Sequence, residues 1–249
     1  LMPLDPRHTA AVVLKVSDYG ESDKIVTFYT QSFGKLACIA KGAKRSKKRF
    51  VNKLELFSLL QIIFDNKGSS LARIDEAELI RIYPLLREDY TRYAAATLIC
   101  EILLNWTKEY DEDERLFTLL LWTLNALNSS TETIRTLILF HIKLFDILGY
   151  RPDLSVCSIC GMPPAGREKI RFSISGSCII CSRCSKHKSS AEIPVSLSTL
   201  KLMQKTQDLP LTKLSRLCFS QTSSKEATNI VRQYSSYLLQ RDIQSWNFL

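Results

Sequence analysis

Residues 25–40 read IVTFYTQSFGKLACIA: two runs of β-forming residues, Ile25 to Tyr29 and Leu36 to Ala40, on either side of the turn signal Ser32-Phe33-Gly34. Branched and aromatic side chains suit a pleated, half-buried surface, and glycine supplies the backbone freedom that a tight reversal needs. The same pattern recurs on both sides. Ala11 to Val16 precedes it across Asp18-Tyr19-Gly20, while Phe57 to Phe64 and Leu71 to Ile82 follow, separated by Asp65-Asn66-Lys67-Gly68. Five short strands in about eighty residues predict an OB-type barrel rather than an alternating βαβ sheet.

After Pro84 the apolar period lengthens to that of a helix. Leu98, Ile102 and Trp106 mark one buried face, and Leu116, Leu120, Leu124 and Leu127 mark a second helix that starts near the acidic run Asp111 to Glu114. Acidic residues are favoured at helix N-termini by the macrodipole, so this run is read as a start signal rather than a metal site. A third helix begins after Ser130-Thr131 and stops at Gly149, with Pro152 beyond it. His141 lies among its apolar residues and reads as a satisfied core or boundary histidine. Ser198 to Thr206, Leu211 to Phe219 and Ser224 to Trp246 also read as helices. The expected fold class is α+β: a five-stranded OB barrel over residues 1–82, then an all-helical domain over 83–249 with a zinc-binding insert at about 154–190.

Of 249 residues, 45% are apolar and 24% charged, the balance of a folded globular chain rather than a disordered one. The formal net charge is +9, and part of it is concentrated. Lys35, Lys41, Lys44, Arg45, Lys47, Lys48, Arg49 and Lys53 fall in one stretch that contains no Asp or Glu. Unrelieved like charge costs folding free energy unless a polyanion neutralises it, and nucleic acid gains from this by releasing condensed counterions. If three to five of these side chains contact single-stranded phosphates, log K falls against log salt with a slope of roughly −2 to −4. Phe28, Tyr29, Phe33 and Phe50 are candidate stacking platforms, although aromatics in a small barrel also serve as core. A solvated basic loop is the competing reading; a membrane-surface helix is disfavoured because the run lacks an amphipathic pattern.

Eight cysteines are present, but no apolar N-terminal core of the kind a signal peptide needs, which favours a reducing, cytoplasmic setting over a disulfide framework. Cys38, Cys100 and Cys218 sit singly among apolar neighbours and read as core residues. The others cluster. Cys157-Ser158-Ile159-Cys160 and Cys181-Ser182-Arg183-Cys184 form two CxxC knuckles, a pattern that supplies four thiolates to one structural zinc ion. Cys178 and His187 allow a shifted register of the second knuckle; Cys181 and Cys184 are preferred because their knuckle mirrors the first. Four protein ligands leave no open position, so a catalytic metal is disfavoured. Nor is there a phosphate loop, since Tyr29 and Leu36 replace its upstream Gly and its Ser or Thr around Gly34-Lys35; no GxSxG or HExxH occurs. The residues point to a binding protein with no small-molecule substrate.

Gly20-Glu21-Ser22-Asp23-Lys24-Ile25-Val26-Thr27 resembles the opening of RecO-family proteins. Gly34-Lys35-Leu36 with Ala40-Lys41-Gly42-Ala43-Lys44-Arg45 is similar to the segment entering their basic loop, and Ala77-Glu78-Leu79 to their barrel exit. Leu148-Gly149-Tyr150-Arg151-Pro152-Asp153-Leu154 with Cys157 and Cys160-Gly161 matches their helix-to-knuckle junction. Ser177 departs from the pattern, where a second glycine after Gly176 is expected. The resemblance implies binding of single- and double-stranded DNA, strand annealing, and cooperation with RecR and the single-stranded-DNA-binding protein to load RecA recombinase in gap repair. A zinc-ribbon scaffold that binds only protein is the alternative.

Overall fold

The computed structural model describes residues 7–65, 71–129, 132–166, 170–185 and 192–249. The turn residues Asn66 to Gly68, the helix-start pair Ser130-Thr131 and His187 lie outside the described residues. The chain divides into two compact units, Leu1–Ser129 with Asn247–Leu249, and Ser130–Trp246.

In the first unit the expected barrel forms from β1 (Arg7–Tyr19), β2 (Asp23–Thr30), β3 (Gly34–Ala40), β4 (Leu59–Asp65) and β5 (Ala72–Arg81), closed in the order β1-β2-β3-β5-β4. β1 is longer than its sequence pattern suggests because it serves two neighbours. Its start pairs with β4 from Arg7↔Phe64 and its end with β2 to Tyr19↔Asp23, and a bulge between Val13 and Lys15 bends it. Such a bend is what lets one strand close a small barrel. Closure on the other side is a parallel pairing of β3 with β5 through Cys38↔Ala72 and Ile39↔Arg73. On β3 every second residue, Gly34, Leu36, Cys38 and Ala40, points inward, the period-2 signature of a strand with one buried face. Val13, Val26, Phe28, Leu60, Ile62, Phe64 and Ile74 complete the core.

Three helices continue this unit: α1 (Leu85–Glu88), α2 (Tyr90–Trp106) and α3 (Glu114–Ser129). The expected acidic start signal is realised, with Asp113 Oδ1 accepting from the main-chain N–H groups of Arg115 (2.8 Å) and Leu116 (3.4 Å). The link between α2 and α3 is clamped to the barrel. Tyr110 N–H donates to Lys35 O at 3.0 Å, and Gly34, at φ +59°, lies so near that a Cβ there would be 2.0 Å from Asp111 O. Lys35 extends the clamp, its ammonium donating to Leu104 O (2.8 Å) and Thr107 O at the end of α2.

The second unit holds α4 (Thr133–Ile147), α5 (Leu197–Asp208), α6 (Gln221–Leu239) and a four-stranded sheet of β6 (Asp153–Cys157), β7 (Ile170–Ser173), β8 (Cys178–Cys181) and β9 (Glu192–Val195), in the order β6-β8-β7-β9. The insert is thus a small sheet and not a loop in an all-helical body. Its strands are four or five residues long, too short for the alternation that reveals strands in sequence. Phe172 of β7 and Phe145 of α4 meet Tyr234 of α6 edge-on at 5.5 and 4.9 Å, so the sheet borrows its core from the helices. His141 is fully buried as expected, stacked on Trp246 at 5.3 Å. Two expectations need correcting. Residues 211–216 form a short 3-10 turn, after which Leu217 takes the inward position and Cys218 is left exposed rather than in the core. The last helix stops at Leu239, where Gln240 turns left-handed, and only a 3-10 turn covers Gln244–Phe248. Among the described residues no helix is long and apolar enough to cross a membrane.

Candidate nucleic-acid interface and metal centre

The basic stretch is a loop on one end of the barrel, between β3 and β4, with a single 3-10 turn at Ala43–Arg45. Its entry is fixed by Asp23, whose Oδ1 accepts from Gly42 N–H at 2.8 Å. That bond, helped by the Ser22 hydroxyl and by attraction to Lys41 and Lys44, holds the Asp23 carboxyl below its ordinary range. Further on, Phe50 and Leu54 insert into the barrel core. Truncating a buried Phe costs about 3–5 kcal/mol, so this anchor keeps the charged loop on the barrel rather than free in solvent.

The structure divides the eight cations. Lys41, Lys44, Arg45, Lys47, Lys48 and Arg49 are exposed on the loop. Lys47 and Lys48 have no ion pair or side-chain hydrogen bond among the described residues. Arg49 donates to Lys41 O at 2.6 Å and lies over the Phe50 ring at 4.4 Å, which fixes its guanidinium face outward. Lys44 and Arg45 meet acids that chain order conceals, Asp18 at 3.1 Å and Glu21 at 4.0 Å, both on the β1–β2 hairpin. With Asp18 at 68% and Glu21 at 97% side-chain exposure, such pairs contribute about 0–1 kcal/mol and yield readily to a phosphate. Lys35 and Lys53 stand apart. Lys53 donates to Ala77 O at 2.7 Å, and Lys35 is occupied at the end of α2, where burial lowers its pKa against the opposing pull of Glu109.

The four aromatics are not platforms: Phe28, Tyr29 and Phe50 are buried, and Phe33 packs edge-on against Phe64 at 5.2 Å under Arg7. Phe28 alternates inward with Val26 on β2 and Phe50 joins the same barrel core, whereas Tyr29 is buried on the opposite face of β2 beside Asp113. The sequence reading missed Tyr19, which is 53% exposed in the turn whose Gly20 O accepts from the Lys44 ammonium at 2.9 Å. Its only sequence signal is an aromatic inside a turn tripeptide, where no packing role calls for one.

In the second unit, Cys157, Cys160, Cys181 and Cys184 converge with all four sulfurs within 4.8 Å of one another. β6 and β8 pair in parallel and so bring Cys157 and Cys181 together at the strand ends; each knuckle then turns back, Gly161 N–H to Cys157 O at 2.8 Å and Cys184 N–H to Cys181 O at 3.1 Å. Four thiolates about 2.3 Å from one tetrahedral ion stand about 3.8 Å apart. Cys160 Sγ and Cys181 Sγ are 3.8 Å apart. Burial pushes the Cys157 thiol up, but the N–H groups of Cys181, Cys160 and Ile159 outweigh it and hold it down at about 6. Cys184 is pushed up to about 12, first by its hydrogen bond with Cys181 and then by burial. Sulfurs this close ionise together only when a cation balances them, so the donor set, the spacing and the charge all fit a metal ion. Cys178, the alternative ligand, lies outside the group, paired in the sheet opposite Ser173. Ser177, the departure from the glycine pattern, does adopt a left-handed backbone at φ +51°, and its Oγ is 2.8 Å from the Tyr234 hydroxyl.

Comparison with known proteins finds two family models that together span most of the chain. A family model described as "Recombination protein O N terminal" matches residues 4–83, and one described as "Recombination protein O C terminal" matches residues 87–247. The chain belongs to the RecO family. Relatives named "DNA repair protein RecO" include that of Syntrophus aciditrophicus, 30% identical over 243 residues, covering 97% of this chain and 94% of the relative. The RecO of Syntrophobacter fumaroxidans is 35% identical over 211 residues, covering 85% and 84%. That of Thermoanaerobacter sp. is 32% identical over 245 residues, covering 97% and 96%.

Proposed function

We propose that this chain is a cytoplasmic DNA-binding mediator of recombinational gap repair, which anneals complementary single strands and helps load recombinase without itself catalysing a bond change. The observation that carries the reading is a loop of exposed cations held on an OB-type barrel by its own buried Phe50 and Leu54. Lys41, Lys44, Arg45, Lys47, Lys48 and Arg49 would take successive phosphates, and Tyr19 would offer a ring for a base to stack on. Neutralising both backbones on one surface removes the repulsion that keeps complementary strands apart. Lys35 and Lys53 would shape the barrel ends, given the carbonyls they already serve. On this reading residues 1–82 form the DNA-binding domain and 83–249 the helical body with its insert at about 154–190, and the partners are single- and double-stranded DNA, RecR and the single-stranded-DNA-binding protein.

The metal is proposed to be one structural Zn2+ per chain, held by Cys157, Cys160, Cys181 and Cys184. It would contribute the folding free energy that four short strands with little core of their own do not supply. Exposed Ile159 (64%) and Met162 (54%) at the first knuckle favour a second reading, a protein-contact scaffold.

The test is binding of labelled single-stranded DNA across a salt series, with strand annealing followed in parallel, for the native chain and for Lys44, Arg45, Lys47 and Lys48 together changed to Ala. If three of the four contact phosphate, the slope of log K against log salt becomes shallower by about 2 and annealing slows. Unchanged affinity and slope would leave only the scaffold reading. Elemental analysis should find one zinc per chain; none would remove the metal assignment.

A further inference from the structure

The net charge of +9 is unevenly divided between the two units. Leu1–Ser129 with Asn247–Leu249 holds 18 Lys and Arg against 17 Asp and Glu, whereas Ser130–Trp246 holds 16 against 8. The barrel unit, despite its loop, is therefore near neutral at +1, and the second unit carries +8. Residues 1–82 alone hold 14 Lys and Arg against 9 Asp and Glu, an excess that the acids of α1–α3 offset within their unit, so the second unit carries an attraction for a polyanion of its own.

Acids do not relieve this excess, because those described in the second unit are almost all occupied. Glu132 pairs with Arg135, Asp146 and Asp208 share Arg151, and Glu192 holds Arg171. Asp153 accepts from Ser155, and Glu226 accepts from Ser196 and Thr199. Among the described residues only Asp242 has no such partner. Residues 197–240 contain just two of these acids, Asp208 and Glu226.

What remains in that segment is a set of exposed cations with no ion pair among the described residues: Lys201 and Lys205 on α5, Lys213 and Arg216 on the 3-10 turn, and Lys225 on α6. Lys201 and Lys205 are four apart on an α-helix, hence neighbours on one face about 6 Å apart along the axis. Lys213 and Arg216 are three apart in a 3-10 turn, where such side chains eclipse, again about 6 Å apart. Exposed hydroxyls at Ser198, Thr212, Ser215 and Thr222 intersperse them and are themselves phosphate donors. A solvated helical segment usually mixes signs; residues 197–225 carry these five cations against a single acid, Asp208, which Arg151 already holds.

We propose that these cations form a second phosphate-binding surface, which takes single-stranded DNA independently of the barrel loop. The proposal rests on the DNA-binding function above and extends it: a chain with a phosphate-binding surface on each unit can hold a further strand beside those on the barrel loop, which favours annealing.

The experiment compares three full-length variants by salt-dependent binding of a labelled oligothymidylate: Lys201, Lys205, Lys213, Arg216 and Lys225 changed to Gln, the four loop cations changed to Ala, and both sets combined. All replaced positions are exposed, and circular dichroism with a thermal melt confirms folding. If three of the five helix cations contact phosphate, the slope becomes shallower by about 2, so the native chain loses about 20-fold more affinity than the variant between 50 and 200 mM salt. The combined variant should lose both increments. A helix variant with the native slope overturns the second surface, including the case in which it has lost affinity for poly-glutamate, which would assign the face to an acidic protein instead. If the loop variant alone keeps the native slope, the barrel assignment fails while the second surface stands.

Discussion

Replacing Lys35 with Met separates a structural lysine from a DNA-binding one. The Lys35 ammonium donates to Leu104 O and Thr107 O, two of the carbonyls that the end of α2 leaves without helical partners. Hydrogen bonds from a charged group contribute about 1.5–3 kcal/mol, and a cation at a helix C-terminus adds about 0.3–1. Partial exposure and the cost of burying charge, visible in the lowered pKa of Lys35, discount the sum. Met keeps the alkyl stem, so packing is largely conserved. The net loss should be about 2 kcal/mol, a fall of about 4–8 °C in the thermal midpoint of the first unit. The assay is urea or thermal unfolding of K35M beside a salt series of DNA affinity. An unchanged midpoint together with a slope shallower by about 0.7 would show that this ammonium serves a phosphate and not the α2 carbonyls.

Gly34→Ala should destabilise well beyond Gly20→Ala: both glycines have positive φ, costing about 1–2 kcal/mol to any other residue, but only at Gly34 would the new Cβ meet Asp111 O, at 2.0 Å. Equal unfolding midpoints in urea for the two variants would contradict the close approach. His141 has its pKa lowered from 6.5 to about 4 by burial, against a raising contribution from Leu137 O. The unfolded chain therefore takes the proton first, so this residue removes about 3 kcal/mol of stability as pH falls from 6.5 to 4 and nothing above that range. His141→Gln should flatten that part of the stability–pH curve, and a curve of native steepness would refute the assignment. At Ser177, Gly relieves the left-handed strain while losing the Tyr234 hydrogen bond, whereas Ala loses the bond and keeps the strain. Thermal melts should place S177A below S177G by about 1 kcal/mol; the reverse order would show that left-handed strain does not govern this turn.

The sequence by itself determined the elements whose local signals are strong. Alternating Leu36, Cys38 and Ala40, turn glycines at Gly20 and Gly34, the capping acid Asp113 and the two CxxC knuckles each carry their instruction within a few residues, so the barrel, the helix starts and the four-sulfur cluster were legible in it. Three features are absent from any such window. The short sheet β6–β9 forms because distant strands bring Cys157 beside Cys181, and four-residue strands have too few positions to show a period. Lys35 and Lys53 look like members of the basic loop until folding places main-chain carbonyls within 2.8 Å of each ammonium. The charge balance also changes on folding, since Asp18 and Glu21 approach the loop through strand pairing while the acids of the second unit are taken up by its own arginines and hydroxyls. A charge's free energy depends on distance and burial rather than on sequence separation, and those two quantities exist only once the chain has folded.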